Sequence, residues 1–140
     1  RIARRLGTGG MGEVYLAEHL LLKRPSVVKV VRADRARDPA AVKRFEREVQ
    51  ILATLTHWNT VAVFDYGHTP DGTFYYAMEL LSGRDLDSLV REFGPLPAER
   101  VVYLLRQVGH SLAEAHAHGL VHRDITPANI YACRLGLDYD

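Results

Sequence analysis

The sequence predicts an α+β fold: a small five-stranded antiparallel sheet lobe that carries one helix, followed by the start of a helical lobe. Three observations predict it. Short runs rich in β-branched and aromatic residues fill the stretch up to Val31 and return between Val61 and Glu79. Between them, apolar residues from Asp38 to Leu55 recur at helical spacing. Beyond Ser82-Gly83 the helical period returns and dominates.

Arg1 to Leu6, Glu13 to Glu18 and Ser26 to Val31 read as strands, the first two joined by a glycine-rich turn. Asp38-Pro39 supplies an N-cap and then a proline at the first helical position, where its missing N–H is no loss, so a helix is expected to about Leu55. Val61 to Tyr66 is a strand stopped by Gly67, and Thr73 to Glu79 is its hairpin partner across Pro70-Asp71-Gly72. A short helix is expected over Asp85 to Arg91. A long one follows over Pro97 to His118, with Val101, Leu104, Leu105, Val108, Leu112 and Ala115 on one face. Gly119 closes it, because glycine takes the left-handed C-cap conformation without steric cost. The chain therefore reads as a sheet-rich lobe over 1–79, a hinge over 80–84 and a partial helical lobe over 85–140, with a ligand expected in a cleft between lobes.

Of the 140 residues, 47% are apolar and 25% charged, the balance of a folded chain rather than a disordered one. A net charge of +1, from 18 basic and 17 acidic residues, gives no field that recommends nucleic acid or an anionic membrane, so neither is expected as a partner of this segment. The single cysteine, Cys133, excludes an intramolecular disulfide and fits a reducing compartment; a cytoplasmic location is expected, with any membrane anchor elsewhere in a parent protein. No apolar run approaches the roughly 18 residues of a membrane span, and Arg1-Ile2-Ala3-Arg4-Arg5 lacks the apolar stretch of a signal peptide. The chain opens without Met and stops at Leu137-Asp138-Tyr139-Asp140, so a segment of a longer protein is expected. His110, His116 and His118 suggest metal binding by spacing alone, but the helix pattern already accounts for that stretch and no cysteine ligand accompanies them.

Gly7-Thr8-Gly9-Gly10-Met11-Gly12 fits G-x-G-x-x-G, a pattern that dinucleotide-binding folds share. In those folds the last glycine opens a helix, whereas here Glu13-Val14-Tyr15-Leu16-Ala17 continues as a strand. The motif reads as a hairpin lid whose backbone N–H groups can approach phosphate oxygens that a β-carbon would hold off; a plain tight hairpin is the alternative. Lys29 shares a strand face with Val27 and Val31. On the next helix Val42, Phe45, Val49, Leu52 and Leu55 form one apolar arc, with Glu48 inside it. Burying either charge alone is costly, so a Lys29–Glu48 ion pair explains both; two unrelated solvated charges are the alternative.

His122-Arg123-Asp124-Ile125-Thr126-Pro127-Ala128-Asn129 follows the long helix. A glycine loop, a strand lysine, a helix glutamate and H-R-D-x-x-x-x-N in this order resemble the protein kinase catalytic domain at every motif. The stretch from Leu6 to Tyr15, with Arg47-Glu48 and Met78-Glu79, is most similar to the bacterial eukaryotic-like Ser/Thr kinases, and the resemblance covers essentially the whole chain. It implies a protein-kinase-like fold and transfer of the ATP γ-phosphoryl group to a protein hydroxyl, with ATP and magnesium as cofactors and a protein substrate as partner. It further implies that Gly7, Gly9 and Gly12 cover the phosphates, that Lys29 contacts the α- and β-phosphates and is held by Glu48, and that Asp124 accepts the hydroxyl proton. By the same resemblance Asn129 holds magnesium and Arg123 meets an activation-loop phosphate. Around the nucleoside it implies Val14 and Val27 against the base, Tyr131 beneath it and Met78 as gatekeeper, with backbone hydrogen bonds from Glu79 and Leu81 and with Asp85 near the ribose.

Several positions depart from the family pattern. Thr126 stands where a lysine is usual and cannot supply a positive charge to the γ-phosphate; Val27 replaces a usual alanine and Tyr131 a leucine-like residue, which crowds the expected adenine slot. Trp58 replaces the proline of the common H-P-N turn, a structural variation. These departures raise the alternative of a pseudokinase, a nucleotide-binding or scaffolding module. The D-F-G, activation-loop and A-P-E segments are not among the 140 residues, so the segment alone is expected to be inactive.

Overall fold

The computed structural model of the chain describes residues 1–9, 12–31, 39–135 and 138–139. The expected cap Asp38 and the Gly10-Met11 tip of the glycine turn lie outside them. The chain divides into two compact units, one of Arg1–Thr56 with Val61–Leu80 and one of His57–Thr60 with Leu81–Asp140.

The first unit is a five-stranded antiparallel sheet of β1 (Ile2–Gly9), β2 (Gly12–His19), β3 (Arg24–Val31), β4 (Val63–His68) and β5 (Phe74–Glu79), in the order β1-β2-β3-β5-β4. Every neighbouring pair is antiparallel, and β1 carries irregularities on either side of Arg4-Arg5. One helix, α1 (Pro39–Leu52), connects β3 to β4 in sequence. Strand alternation turns Val31 of β3 and Phe74, Tyr76 and Met78 of β5 to one side. There Val31, Val49, Phe74 and Tyr76 form the buried cluster, with Phe45, Val63 and Met78 packed against it. Full burial of one such side chain is worth about 1.5–3 kcal/mol. The Phe45 ring meets Phe74 edge-on at 5.5 Å between centroids and lies 5.9 Å from Tyr76. A polar tie joins α1 to β4, from His68 Nε2 to Glu46 Oε1 at 2.8 Å.

The helix α1 stops at Leu52 rather than the expected Leu55, because its last turn tightens. The amides of Thr54 and Leu55 donate to carbonyls three residues back, Ile51 and Leu52, at 2.9 and 3.2 Å, and Thr54 Oγ1 donates to the same Ile51 oxygen at 2.7 Å. Gly12 is dictated by packing, since a β-carbon there would stand 1.9 Å from the Val30 carbonyl oxygen.

The second unit contains β6 (Gly83–Asp85), α2 (Leu86–Phe93), α3 (Ala98–Ala117), a 3-10 turn at Pro127–Asn129, β7 (Tyr131–Leu135) and β8 (Asp138–Tyr139). The small antiparallel sheet β6-β7-β8 corrects the expectation of helices alone beyond Gly83. Glycine at 83 permits it, because a β-carbon there would lie 2.2 Å from the Ala132 carbonyl oxygen. Asp85 ends β6 and caps α2, its Oδ1 accepting the Ser88 amide at 2.8 Å and its Oδ2 the Ser88 hydroxyl at 2.7 Å. Gly119, at φ 76°, follows the C-cap of α3 as expected.

Residues His57–Thr60 lie between α1 and β4 in sequence yet fold with α3. The His57 amide donates to Glu114 Oε2 at 3.0 Å, the Asn59 side-chain amide donates to Gln107 Oε1 at 2.8 Å, and the Thr60 and Ser111 hydroxyls share a bond at 2.6 Å. Trp58 at the tip of this turn is 79% exposed. Among the described residues, no helix is long and apolar enough to cross a membrane.

Candidate active site

The expected site residues fall into two sets, one in each unit. In the first unit, strand register sets Val14 of β2 opposite Lys29 of β3 and Lys29 opposite Tyr76 of β5; one step along, Val27 is opposite Met78. Residues opposite one another, or two apart on a strand, share a face. Val14, Val27, Lys29, Tyr76 and Met78 therefore lie on the face that packs against α1. Val27 and Tyr76 are buried there, whereas Val14, Lys29 and Met78 are half-buried. Gly7 pairs with Val14 and Gly9 with Gly12, so the three motif glycines flank the β1–β2 connection, and the motif continues as a strand and not a helix.

The expected Lys29–Glu48 ion pair is not formed: among the described residues neither side chain has an ion-pair or hydrogen-bonding partner. The reason lies in how α1 fills the sheet face. Phe45 and Val49 occupy it with Phe74 and Tyr76, while Glu48 is only half-buried and keeps contact with water. Lys29, without a carboxylate beside it, has its ammonium pushed below the usual lysine range by burial.

In the second unit the H-R-D segment follows α3. Arg123 takes the left-handed φ of 64°, a conformation that costs a non-glycine residue about 1 kcal/mol or more, immediately before Asp124. The Asp124 amide donates to His122 Nδ1 at 3.3 Å. Asn129, at the end of the 3-10 turn, donates its side-chain amide to the Asp124 carbonyl at 2.9 Å and to Asp124 Oδ2 at 3.0 Å. Those bonds occupy the nitrogen and leave the carboxamide oxygen of Asn129 as its remaining acceptor. That oxygen is a hard donor of the kind magnesium prefers, which suits the expected role of Asn129, although among the described residues no cluster of three His, Cys, Asp or Glu side chains stands ready for a metal ion.

Thr126 is extended, and its carbonyl accepts the Asn129 amide at 3.0 Å. Tyr131 is 45% exposed and pairs with Asp85 across β6–β7. Asp85 spends both carboxylate oxygens on Ser88, and those bonds hold its carboxyl below the usual range. The Glu79 amide is committed to the Ala62 carbonyl at 2.9 Å, so a backbone bond from Glu79 to a base would use its carbonyl. Leu81, half-buried, follows in the second unit.

Asp124 and Asn129 are thus brought into contact, and Val14, Val27, Lys29 and Met78 share one face; Glu48 joins neither set by a polar bond. Sequence reasoning missed Tyr76, which shares the face of Lys29. The alternation Phe74, Tyr76, Met78 is the signal that could have found it.

The protein kinase domain model matches residues 1–134. The chain is 41% identical over 133 residues to the serine/threonine-protein kinase PknH of Mycobacterium tuberculosis, covering 95% of this chain and 21% of that protein. It is 45% identical over 128 residues to PknB of Mycolicibacterium smegmatis, covering 89% and 20%, and 38% identical over 136 residues to PrkC of Bacillus subtilis, covering 97% and 21%. The crystal structure of the M. tuberculosis PknI kinase domain matches with a TM-score of 0.82 at 34% identity, covering 94% of this chain and 53% of that one. The chain spans about a fifth of the length of these curated relatives and about half of that kinase-domain chain. A family model that matches nearly the whole chain and relatives at about 40% identity lead to one conclusion: the chain belongs to the protein kinase domain family, whose members generally use ATP and magnesium.

Proposed function

We propose that the protein containing this chain is a Ser/Thr protein kinase that transfers the γ-phosphoryl group of ATP to a protein hydroxyl. The observation that carries the reading is the Asp124–Asn129 clamp, in which one amide fixes the carboxylate that would receive the hydroxyl proton. Asn129 would hold magnesium through its remaining oxygen, and the bound ion would offset charge on the phosphate oxygens. Lys29 would contact the α- and β-phosphates, with Glu48 holding it once the two charges meet. Gly7, Gly9 and Gly12 would let backbone N–H groups reach the phosphates. Val14, Val27, Met78 and Tyr131 would enclose the base, Glu79 and Leu81 would bind it through backbone groups, and Asp85 would lie by the ribose. On this reading residues 1–79 form the nucleotide lobe, 80–84 the hinge and 85–140 the start of the catalytic lobe.

The proteins it resembles are named serine/threonine-protein kinases, which supports a Ser/Thr acceptor. The acceptor is tested by incubating the intact protein with labelled ATP, magnesium and a mixed protein substrate and then identifying the phosphorylated amino acids. Label on serine or threonine is expected; label confined to tyrosine, or nucleotide binding without transfer, would contradict the proposal.

A further inference from the structure

Tyr76 is a buried titratable residue to which the mechanism above gives no part. It is 8% exposed, lies in the core cluster of the first unit, and has its ring 5.9 Å from Phe45 of α1. The ring is buried, but the hydroxyl keeps contact with water: among the described residues it makes no hydrogen bond to the protein, and it is not one of the fully buried polar atoms left without a partner. Apolar packing alone does not call for a hydroxyl here, since phenylalanine fills the same space.

Two more polar side chains on this side of the sheet share that condition. Lys29 is the direct cross-strand partner of Tyr76, and such pairs hold their β-carbons about 5 Å apart on one face. Both side chains are long and leave the sheet on the same face, so a change of rotamer suffices to bring the ammonium to the hydroxyl. Glu48 belongs to the helix that packs on this face. A phenol hydroxyl accepts from an ammonium and donates to a carboxylate, whereas an ammonium only donates and an ionised carboxylate only accepts.

We propose that Tyr76 is a positioning residue of the nucleotide site, whose hydroxyl accepts a hydrogen bond from the Lys29 ammonium and donates its own hydrogen to the Glu48 carboxylate, bridging the two charges when Lys29 is in its working position. The inference rests on the proposed kinase function for its consequence, but not for the contact itself. Burial pushes the Tyr76 phenol up to about 12, so the hydroxyl keeps its proton throughout the neutral range. The bridge would give a desolvated lysine an acceptor that does not depend on an ion pair alone.

The test is Tyr76→Phe in the intact protein, with two readouts. The first is the pH profile of Lys29 labelling by an amine-acylating reagent, with Lys23 and Lys43, both exposed, as internal references. Loss of the acceptor is expected to move the Lys29 profile to lower pH, because the ammonium loses support. A loosened core would move it the other way, toward an ordinary lysine. The second is ATP affinity, expected to weaken about tenfold, as befits a hydrogen bond to a charged group. A Lys29 profile that stays put or moves up overturns the proposal, and so does a downward shift with unchanged ATP affinity. If the unsubstituted protein binds no ATP while the profile still shifts down, the contact is supported and the kinase function is overturned.

Discussion

At the scale of the residue, Lys29 has the sharpest consequence. A lysine whose pKa is lowered on folding binds fewer protons than in the unfolded chain, so stability rises with pH between the lowered value and the ordinary 10.5. Below that window the cost of the buried charge is fully present. Lys29→Met removes the charge and is expected to raise the melting temperature at pH 7 by roughly 2–4 °C, allowing for the water that still reaches the amine, while abolishing phosphoryl transfer. A lower melting temperature would show that the bonds Lys29 makes, the proposed one to Tyr76 included, more than offset the cost of its burial. Asp85 gives the opposite case. Its folded pKa is lowered by the Ser88 bonds, so its contribution is present above the ordinary 3.8 and is lost as pH falls through the lowered value. Asp85→Ala is expected to cost about 1 kcal/mol in urea denaturation at neutral pH, the usual size of a lost N-cap, and less in acid. Both residues were visible in the sequence; their surroundings were not. The arc that holds Glu48 was legible as a periodicity, but the choice of Phe45 and Val49 to fill the sheet face depends on packing against Phe74 and Tyr76, distant in sequence.

Elements were legible where a period repeats. The five strands and α1 of the first unit, and α2 and α3 of the second, follow from alternation, helical spacing and Gly or Pro boundaries. The strand β6 has three residues, Gly83-Arg84-Asp85, too few to show a period, and its pairing with β7 joins positions about fifty residues apart. Glycines show the same limit. Gly12 and Gly83 are required by close backbone approach, while a β-carbon at Gly7 would meet nothing within 4 Å. Gly83→Ala is therefore expected to destabilise the second unit by about 1–3 kcal/mol, the range for overpacking against unyielding neighbours. Gly7→Ala is expected to leave stability within about 0.5 kcal/mol, as at an open surface position, while weakening nucleotide binding. Thermal melts and ATP titrations of the two variants check this; equal destabilisation would refute the distinction.

At the scale of the whole molecule, the division into units does not follow the chain, because His57–Thr60 folds with α3 although β4 and β5 come after it in the sequence. Gln107, Ser111 and Glu114 lie on one helical face of α3, at spacings of four and three residues, and each takes one link to this turn. Such a polar stripe leaves no hydrophobic periodicity to read. A double-mutant cycle of Thr60→Val and Ser111→Ala is expected to give a coupling of about 1 kcal/mol, whereas Trp58→Ala, at an exposed tip, is expected to be neutral. Additive effects in the cycle would show that the hydroxyls are not bonded.

The central claim, that this family member is an active kinase through Asp124, is tested most directly by phosphate transfer from labelled ATP with magnesium, comparing the intact protein with its Asp124→Asn variant. The account predicts transfer by the intact protein and loss of at least about a hundredfold in kcat in the variant, the lower end for removal of a general base, with ATP affinity preserved. Equal transfer by both proteins, or ATP binding without transfer by either, would contradict it.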